Sequence, residues 1–384
     1  MELSGKIKVM TIFGTRPEAI KMAPLIMEMQ KNPQFECIIC CTGQHKEMLA
    51  QVLRTFHLEP DYNLHIMKQN QTLADISSAV IAGADKIIRH VRPDLVMVHG
   101  DTSTTLAGGL AAFYNKVPVA HIEAGLRSFD MYSPYPEEMN RVMIGRIATL
   151  HFAPTESNRQ NLNREGIEKG VYITGNTVID ALYYMVREEY QFISASLQKI
   201  DFHKGCWVLM TAHRRENLGE PMENICRAVL RAVEANPDLH LVFPVHLNPA
   251  VRDTVFSILG GHGRITLIDP IDVQDMHNLI ARCHMVLTDS GGIQEEAPAL
   301  GKPVLVLRTE TERPEAVKAG TVKLVGVREE DIFENIQTLL HNDEAYRRMA
   351  RAANPYGDGH ASERIVQNIL HWAGRAEKSM EFIV

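Results

Sequence analysis

Acidic side chains stand at or near the ends of apolar segments in the first half of the sequence. Asp101 closes the segment DLVMVHGD, Glu123 follows PVAHI, and Glu137 begins a helical segment after the loop GLRSFDMYSPYP. Carboxylates that converge are costly unless they handle protons or bind cations. The pattern therefore indicates an acid–base site. The ordinary alternative is that Asp101 caps a helix and Glu123 pairs with a cation.

Two cations follow the first apolar segment, in the stretch FGTRPEAIK. Thr15 and Glu18 have the spacing of a capping box, and Pro17 suits a first helical turn. A helix N-terminus with free N–H groups, together with Arg16 and Lys21, would form an anion site. The alternative is a capped surface helix that carries two solvated cations.

His213 ends an apolar segment in the second half, where the sequence reads TAHRREN. A lone histidine is more often structural, but this one lies between a predicted strand and two arginines, Arg214 and Arg215. We therefore expect His213 to take part in catalysis or phosphate binding.

The stretch LTDSGGIQEEAP has the features of a nucleotide site. Ser290 can cap a helix, and Gly291 and Gly292 allow backbone N–H groups to approach a phosphate. Glu295 and Glu296 lie one turn into that helix, where carboxylates can accept hydrogen bonds from ribose hydroxyls. A phosphate site beside a ribose site indicates a nucleotide.

Several common cofactor motifs are missing from the sequence. There is no G-x-G-x-x-G after the first predicted strand and no G-x-x-x-x-G-K-[ST], so neither a nicotinamide site nor a P-loop is predicted. There is no H-E-x-x-H and no paired C-x-x-C, so we expect no metal site. Cys37 and Cys40 lie inside the apolar segment FECIICC and are interpreted as buried thiols.

These candidate residues must be positioned by strands, because apolar segments of four to eight residues alternate with helical segments along the chain. Continuous apolar segments are typical of parallel strands buried on both faces. The pattern predicts an α/β protein with two doubly wound, Rossmann-like domains that face a cleft. We place an N-terminal domain at residues 1–175, a nucleotide-binding domain at 176–360, and a terminal helix at 361–384 that packs back on the first domain.

Composition sets the broad class. The chain has 384 residues, 45% hydrophobic and 23% charged, with a net charge of −7. These values are ordinary for a globular protein of two domains, and the acidic balance argues against a nucleic-acid partner. The sequence contains no apolar span of membrane-crossing length and no signal-peptide pattern, so we expect a cytoplasmic protein with no membrane association.

A series of motifs in one order along nearly the whole chain resembles the non-hydrolysing UDP-N-acetylglucosamine 2-epimerases. The motifs are FGTRPEAIKMAPLI, TGQH, HGDT, HIEAGLRS, SPYPEEMNR, YITGNT, TAHRREN, PVHLNP, TDSGGIQEEAP, TERPEA and NPYGDG. The resemblance implies a glycosyltransferase-B-like fold and a homodimer. It also implies interconversion of UDP-GlcNAc and UDP-ManNAc without a cofactor, in the supply of bacterial surface polysaccharides.

The resemblance also implies roles for individual residues. The catalytic candidates are Asp101, Glu123, Glu137 and His213. The substrate-binding candidates are Arg16, Lys21, His213, Ser290, Gly291, Gly292, Glu296 and Arg313, with a loop near Met276 over the uracil.

Some bacterial relatives bind a second UDP-GlcNAc as an activator, and the corresponding pocket differs in this sequence. Matching residues stand at Gln44, Arg214, Glu216 and His246, but Glu47 replaces a glutamine and Asn70 replaces an arginine. Both changes make the pocket less favourable to a diphosphate, so weaker substrate activation is expected.

The chemistry of the implied reaction accounts for the residue types. The C2–H of GlcNAc has no adjacent carbonyl, so elimination of UDP to 2-acetamidoglucal, followed by re-addition, is the route without a nicotinamide. That route needs acid–base groups near C2 and charge stabilisation on the diphosphate. The sequence leaves open which carboxylate removes the proton. It also leaves open a hydrolysing epimerase, a glycosyltransferase with an acceptor groove, and a non-catalytic UDP-sugar sensor.

Overall fold

The computed structural model describes residues 5–43, 46–68 and 70–384, with the side chains of 46–48 left out. The chain divides into two compact units. Residues up to Ala181 and residues 356–383 form the first unit, and residues 182–355 form the second.

The first unit contains, within the described ranges, a seven-stranded parallel sheet in the order β3-β2-β1-β4-β5-β6-β7. Its strands are β1 (Ile7–Phe13), β2 (Phe35–Cys41), β3 (Tyr62–Asn63), β4 (Leu95–His99), β5 (Val119–Ile122), β6 (Leu150–Ala153) and β7 (Val171–Ile173). The helices that begin in this unit are α1 (Arg16–Lys31), α2 (Lys46–Thr55), α3 (Leu73–Val91), α4 (Ser103–Tyr114), α5 (Glu137–Ile147), α6 (Glu156–Arg164), α7 (Thr177–Met185) and, after the second unit, α15 (Ala361–Trp372).

The second unit contains, in the part of the chain that is described, a six-stranded parallel sheet in the order β10-β9-β8-β11-β12-β13. Its strands are β8 (Cys206–Thr211), β9 (Leu239–Pro244), β10 (Ile265–Ile268), β11 (Met285–Thr288), β12 (Val304–Val306) and β13 (Val322–Leu324). Its helices are α8 (Glu220–Ala235), α9 (Pro249–Leu259), α10 (Val273–Arg282), α11 (Gly291–Ala299), α12 (Pro314–Ala319), α13 (Glu329–His341) and α14 (Asp343–Ala350).

Burial explains why the strands are continuous apolar segments. Every residue of β4, β5, β6 and β11 is buried, because helices cover both faces of each sheet. In the second unit Leu241, Phe243 and Leu287 form part of a core packed against α8 and α13. The prediction of an α/β protein with two parallel, doubly wound sheets is confirmed.

Three details differ from the sequence prediction. The two-residue strand β3 was not predicted, since it is too short to carry a periodicity. The segment NTVIDALYYMVREEY predicts a helix up to Tyr190, but helix α7 ends at Met185. Beyond that point side chains of α10 provide alternative acceptors: Asn278 accepts from the N–H of Arg187 (3.0 Å) and Asp275 from that of Ile193 (2.9 Å).

The third difference is at the C-terminus, where the terminal helix is predicted at 361–384 but helix α15 ends at Trp372. This helix belongs to the first unit and packs against α1. Within the described ranges, no helix combines the length and apolar character needed to cross a bilayer.

Candidate active site

The strand order places the candidate residues at one edge of each sheet. In the first sheet the order reverses between β1 and β4, which are parallel neighbours with Ile12 opposite Val98. In the second sheet it reverses between β8 and β11, with Thr211 opposite Thr288. Ligands of open parallel sheets bind beyond the carboxyl ends of the strands at such reversals. The motifs singled out in the sequence follow these strands.

The turn after β1 is a capping box, as predicted. The N–H of Glu18 donates to the Thr15 hydroxyl (3.4 Å), and the Glu18 carboxylate accepts from the N–H groups of Gly14 (3.0 Å) and Thr15 (2.7 Å). Glu18 takes the N–H groups of Gly14 and Thr15, its own N–H donates to Thr15, and Pro17 has none, so fewer N–H groups are left for an anion than expected.

Glu18 also connects the two loops at the strand reversal. Its other carboxylate oxygen accepts from the hydroxyls of Thr102 (2.7 Å) and Thr105 (3.2 Å) at the start of α4. Burial raises the pKa of Glu18, and these hydrogen bonds oppose that effect. Glu18 therefore fixes the loop that carries Arg16 against the loop that carries Asp101.

Glu123, directly after β5, is held by groups from three other elements. Its Oε2 forms a close ion pair with Lys21 of α1 and accepts a hydrogen bond from the Asn176 amide (2.9 Å). The Nε2 of His99, at the end of β4, lies 3.8 Å from the same oxygen. Glu123 has a positive φ of 62°, which is uncommon for a residue with a side chain.

These contacts determine the charge of Glu123. Burial alone would raise the pKa of Glu123, but Lys21, His99 and Asn176 outweigh it and lower the pKa to about 2. Burial lowers the pKa of His99 to about 4, so this ring is neutral at pH 7. At neutral pH Glu123 is therefore an ionised carboxylate paired with one ammonium group.

Asp101 lies beyond the neighbouring strand β4 in a different environment. Its Oδ2 accepts from the Nε of Arg141 (2.8 Å), and its carbonyl accepts from the Asn140 amide (2.8 Å). Burial raises the pKa of Asp101; Arg141 opposes this effect and the Glu123 charge adds to it. Asp101 is not the cap of α4, since Thr102 takes that position. The two carboxylates thus share one sheet edge, with pKa values displaced in opposite directions.

The loop between β5 and α5 is ordered by its own contacts. Arg127 forms a two-point ion pair with Glu165 (2.6 and 3.0 Å). Glu138 accepts from the N–H groups of Ser128 (2.9 Å) and Phe129 (3.0 Å), and also binds the guanidinium that holds Asp101. The loop is thereby tied to the acid pair.

Three further residues predicted from the sequence, Glu137, Arg16 and Lys21, lie at or near the starts of helices α5 and α1. Glu137 is half-buried and is the first residue of α5, one position before the structural Glu138. Arg16 is half-buried and is the first residue of α1. Lys21, predicted to contact a diphosphate, lies instead against Glu123.

In the second unit, Asp289 organises the loop that carries His213. Asp289 follows β11, is fully buried, and its Oδ2 accepts from the N–H groups of His213 (2.8 Å) and Arg214 (2.8 Å) and from the Asn217 amide (3.0 Å). Its Oδ1 lies 3.3 Å from the Nδ1 of His213. The imidazole of His213 is 46% exposed and stacks on His246, with ring centroids 5.6 Å apart. Asp289 therefore holds the backbone of His213 in place, and the imidazole remains accessible to solvent.

The start of α11 has the features of an anion site. Within the described chain, Ser290 at the N-cap makes no side-chain hydrogen bond to the helix, contrary to the predicted cap. A Cβ on Gly291 would lie 4.0 Å from an Nη2 of both Arg214 and Arg313, and one on Gly292 would meet nothing closer than 3.8 Å. Two guanidinium groups thus flank an open helix N-terminus.

The two acids of α11 have different environments. Glu295 is 6% exposed and its carboxylate accepts from the Nε of Arg313 (2.5 Å), so it orients that arginine. Glu296 is partly exposed and lies 3.3 Å from the Nε2 of the buried His277. Of the two side chains, that of Glu296 is the more exposed. Met276 lies in the first turns of helix α10, not in the expected loop, and is half-buried.

Comparison with known proteins agrees with this geometry. A protein-family model described as UDP-N-acetylglucosamine 2-epimerase matches residues 27–370.

The chain belongs to the UDP-N-acetylglucosamine 2-epimerase family.

Individual members of this family are similar over their whole length. The UDP-N-acetylglucosamine 2-epimerase of Bacillus subtilis is 52% identical, over 98% of this chain and 99% of the relative. An S. aureus protein solved with UDP is 49% identical with a TM-score of 0.84, covering 98% of this chain and all of the other. The Neisseria meningitidis UDP-GlcNAc 2-epimerase bound to UDP-GlcNAc is 47% identical with a TM-score of 0.80, covering 95% and 100%.

The proposed activator residues of this family member come from both units, three from each. Gln44 lies outside the described residues, as does the side chain of Glu47, and Asn70 is exposed in a turn. In the second unit Arg214 binds Glu312 (2.9 Å), Glu216 binds Arg308 (2.6 Å), and His246 stacks on His213. Weaker activation therefore stays a prediction.

The sequence analysis missed several supporting residues of this epimerase fold. Arg141, Asn176 and Asp289 each occur in a quoted motif, but only the tertiary contacts show which carboxylate or loop each one holds. His99 precedes Gly100 in HGDT, and nothing in the sequence distinguishes it from a histidine of the core.

The cysteines of this family member are free thiols. Burial raises the pKa of Cys37 and Cys40 to about 12; Cys40 is buried as interpreted, whereas Cys37 is only partly buried. Among the described residues no group of three or more His, Cys, Asp or Glu side chains is arranged to hold a metal.

Proposed function

We propose that the protein interconverts UDP-GlcNAc and UDP-ManNAc by elimination of UDP and its re-addition, without hydrolysis. The observation that carries this proposal is the pair of carboxylates, Glu123 and Asp101, at one sheet edge with opposed pKa shifts. Neighbouring acids with displaced pKa values are typical of divided acid and base roles.

The first step breaks the bond between C1 and the diphosphate oxygen. The departing UDP takes the bonding electrons, and C1 gains oxocarbenium character. That positive charge makes the C2–H acidic, so a weakly basic but fully ionised carboxylate suffices to accept the proton. Glu123 has this character and is the proposed acceptor. The products of the step are UDP, 2-acetamidoglucal and a protonated Glu123.

The return step adds a proton to C2 on the opposite face, while the UDP oxygen re-forms the bond to C1. The proton donor must hold its proton more firmly than Glu123 does. Burial raises the pKa of Asp101, and Arg141 fixes the orientation of its carboxyl group, so Asp101 is the proposed donor. Glu137 begins the helix that carries Arg141, and we retain it as a third acid–base group.

The second unit supplies the features expected of a UDP site. Arg214 and Arg313 flank the open start of α11, where a diphosphate would be stabilised by both charges and the helix dipole. His213, fixed by Asp289, is proposed to support the charge that develops on the leaving diphosphate. Glu296 is proposed to accept from a ribose hydroxyl.

A route through transient oxidation has less support. A dinucleotide pyrophosphate usually binds N–H groups of the turn after the first strand. Here the Glu18 carboxylate takes the N–H groups of Gly14 and Thr15. By resemblance to the family we also propose a homodimer that supplies UDP-ManNAc for surface polysaccharides.

Product analysis with UDP-GlcNAc as the sole substrate tests the proposal. We expect chromatography to show UDP-ManNAc approaching a constant ratio to UDP-GlcNAc, with the total of UDP-sugars conserved. Free ManNAc that accumulates in step with free UDP would overturn the non-hydrolysing assignment and favour a hydrolysing epimerase. Unchanged UDP-GlcNAc would overturn epimerase activity altogether.

A further inference from the structure

Asn176 connects the proposed base to a distant part of the chain. It lies in the loop between β7 and α7 and is 5% exposed. Its amide donates to the Oε2 of Glu123 (2.9 Å), while its own Oδ1 accepts from the N–H of Val178 (3.1 Å). The amide is therefore oriented, with the nitrogen toward Glu123 and the oxygen toward the start of α7.

The segment that returns from the second unit holds the backbone of Asn176. The N–H of Asn176 donates to the carbonyl of Tyr356 (2.7 Å). Gly175 and Gly357 approach so closely that a Cβ on Gly175, which has a φ of +83°, would lie 3.3 Å from the Gly357 Cα. A larger residue at either position would push the segment away from Asn176.

Further contacts fix the same segment to the first unit. Asp180 accepts from the N–H groups of Ala361 (3.2 Å) and Ser362 (2.7 Å) at the start of α15. Arg364 donates to the carbonyl of Thr174 (3.1 Å) and to the carboxylate of Asp358 (2.7 Å). The loop around Asn176 is thus held on both sides.

We propose that Asn176 is a positioning residue for Glu123, and that residues 356–362 of the returning segment maintain its position. This inference rests on the proposed function. The contacts from Lys21, Asn176 and His99 all fall on Oε2 of Glu123. They fix the rotation of the carboxylate, so that Oε1 is the oxygen offered to C2–H. Without Asn176 the carboxylate can rotate about its ion pair with Lys21, and fewer bound substrate molecules meet a correctly placed oxygen.

The test uses the full-length protein with Asn176→Ala. Loss of a hydrogen bond to a charged group is expected to lower kcat by roughly 10- to 100-fold, with UDP affinity unchanged. The deuterium isotope effect on kcat with 2-deuterated UDP-GlcNAc should increase, because proton removal becomes slower relative to the other steps. Asn368→Ala is the matched control. Asn368 is also buried and binds the C-terminal segment, but its described contacts are to Arg364 and Ser379.

The isotope effect distinguishes a positioning role of Asn176 from a role in stability alone. A destabilised protein has fewer active molecules and an unchanged isotope effect. The inference is overturned if Asn176→Ala keeps kcat within twofold of the original protein, or loses activity with the isotope effect of the control.

Asn176→Asp is nearly the same size and provides a second test if the alanine variant folds poorly. The charged groups that face Glu123 are Lys21 from α1, His99 from β4 and Asp101 beyond β4. An ionised Asp at position 176 would repel Glu123, whereas a protonated one could donate the lost hydrogen bond. We expect the ratio of its kcat to that of the original protein to rise as pH falls, and a ratio independent of pH would contradict the inference.

The positioning role can be separated from the proposed reaction by NMR. In protein with ¹³C-labelled glutamate carboxyl groups, Asn176→Ala should move the Glu123 titration to higher pH. An unchanged titration would overturn the inference even in an active enzyme. If the original protein does not epimerise UDP-GlcNAc, the proposed function is overturned. The NMR titration still tests the contact between Asn176 and Glu123.

Discussion

Glu123 and Asp101 are the same functional group placed in two environments. Glu123 faces an ammonium group and a side-chain amide, while Asp101 faces one guanidinium and the negative charge of Glu123 itself. Both types and positions were predicted from the sequence, because each follows an apolar segment. Their opposite pKa shifts were not predicted, because the shifts depend on contacts with Lys21, Arg141 and Asn176, which are distant in sequence.

Removal of the charge on each acid tests this assignment. We expect Asp101→Asn, Glu123→Gln and Glu137→Gln each to lower kcat by about 100-fold or more, the usual scale for a general acid or base. Titration calorimetry should find UDP affinity preserved in all three. The matched control is Glu36→Gln, whose carboxylate is 52% exposed and lies near Lys8. An acid variant that turns over at the rate of this control has no catalytic role.

At the scale of elements, the strand ends were predictable and the loops were not. Twelve of the described strands coincide with apolar segments seen in the sequence, because burial on both faces leaves a strong compositional pattern. The turn after β1 was predicted as a capping box, but the sequence did not show that the Glu18 carboxylate takes the N–H groups of Gly14 and Thr15, which an anion could otherwise bind. At the start of α11 the Ser290 side chain makes no capping hydrogen bond, so it leaves the N–H groups of that helix start available.

The loop after β8 provides a prediction at this scale, through Asp289. Asp289→Ala should lower the free energy of unfolding by on the order of 3 kcal/mol, because one buried and two partly buried donors lose their acceptor. In Asp289→Asn one oxygen can still accept from all three, so thermal stability should change little. Its amide would then face the Nδ1 of His213 as a donor, and we expect kcat to fall at least tenfold.

Denaturant unfolding and steady-state kinetics on both variants check this expectation. Asn248→Ala, at the N-cap of α9 in the same unit, is the control for lost stability alone. If Asp289→Asn retained full kcat, the role given to His213 and its orientation would be wrong.

Across the whole molecule the first six strands of the seven-stranded sheet follow the same order as the six-stranded sheet, with the reversal beside the first strand of each unit. Each unit therefore presents its reactive loops at an equivalent edge. The repeated succession of strands and helices predicted this architecture. The chain passes from one unit to the other after Ala181 and after Pro355, and no such sequence pattern marks these two positions.

Buried histidines make the stability of the first unit depend on pH. His99, His121 and His151 lie on neighbouring strands β4, β5 and β6. Burial lowers their pKa values to about 4, 3 and 4. The unfolded chain therefore binds more protons than the folded one below about pH 6.5, and stability present above that value is lost as pH falls toward 4.

We expect the melting temperature to fall steadily between pH 7 and pH 4.5, with a loss of a few kcal/mol in unfolding free energy. His151→Gln cannot titrate and should reduce this pH dependence, measured by calorimetry at each pH. His90→Gln, at an exposed position of α3, should leave it unchanged. Equal pH dependence in all three proteins would show that the buried histidine is not responsible.

The most direct test of the proposed reaction is incubation with UDP-GlcNAc in D₂O, without a nicotinamide, followed by NMR. Elimination and re-addition through Glu123 and Asp101 predict one solvent deuterium at C2 of UDP-ManNAc and, with time, of UDP-GlcNAc, with the anomeric bond to UDP re-formed in both. UDP-ManNAc that retains the original C2 hydrogen, or turnover that strictly requires added NAD, would contradict it.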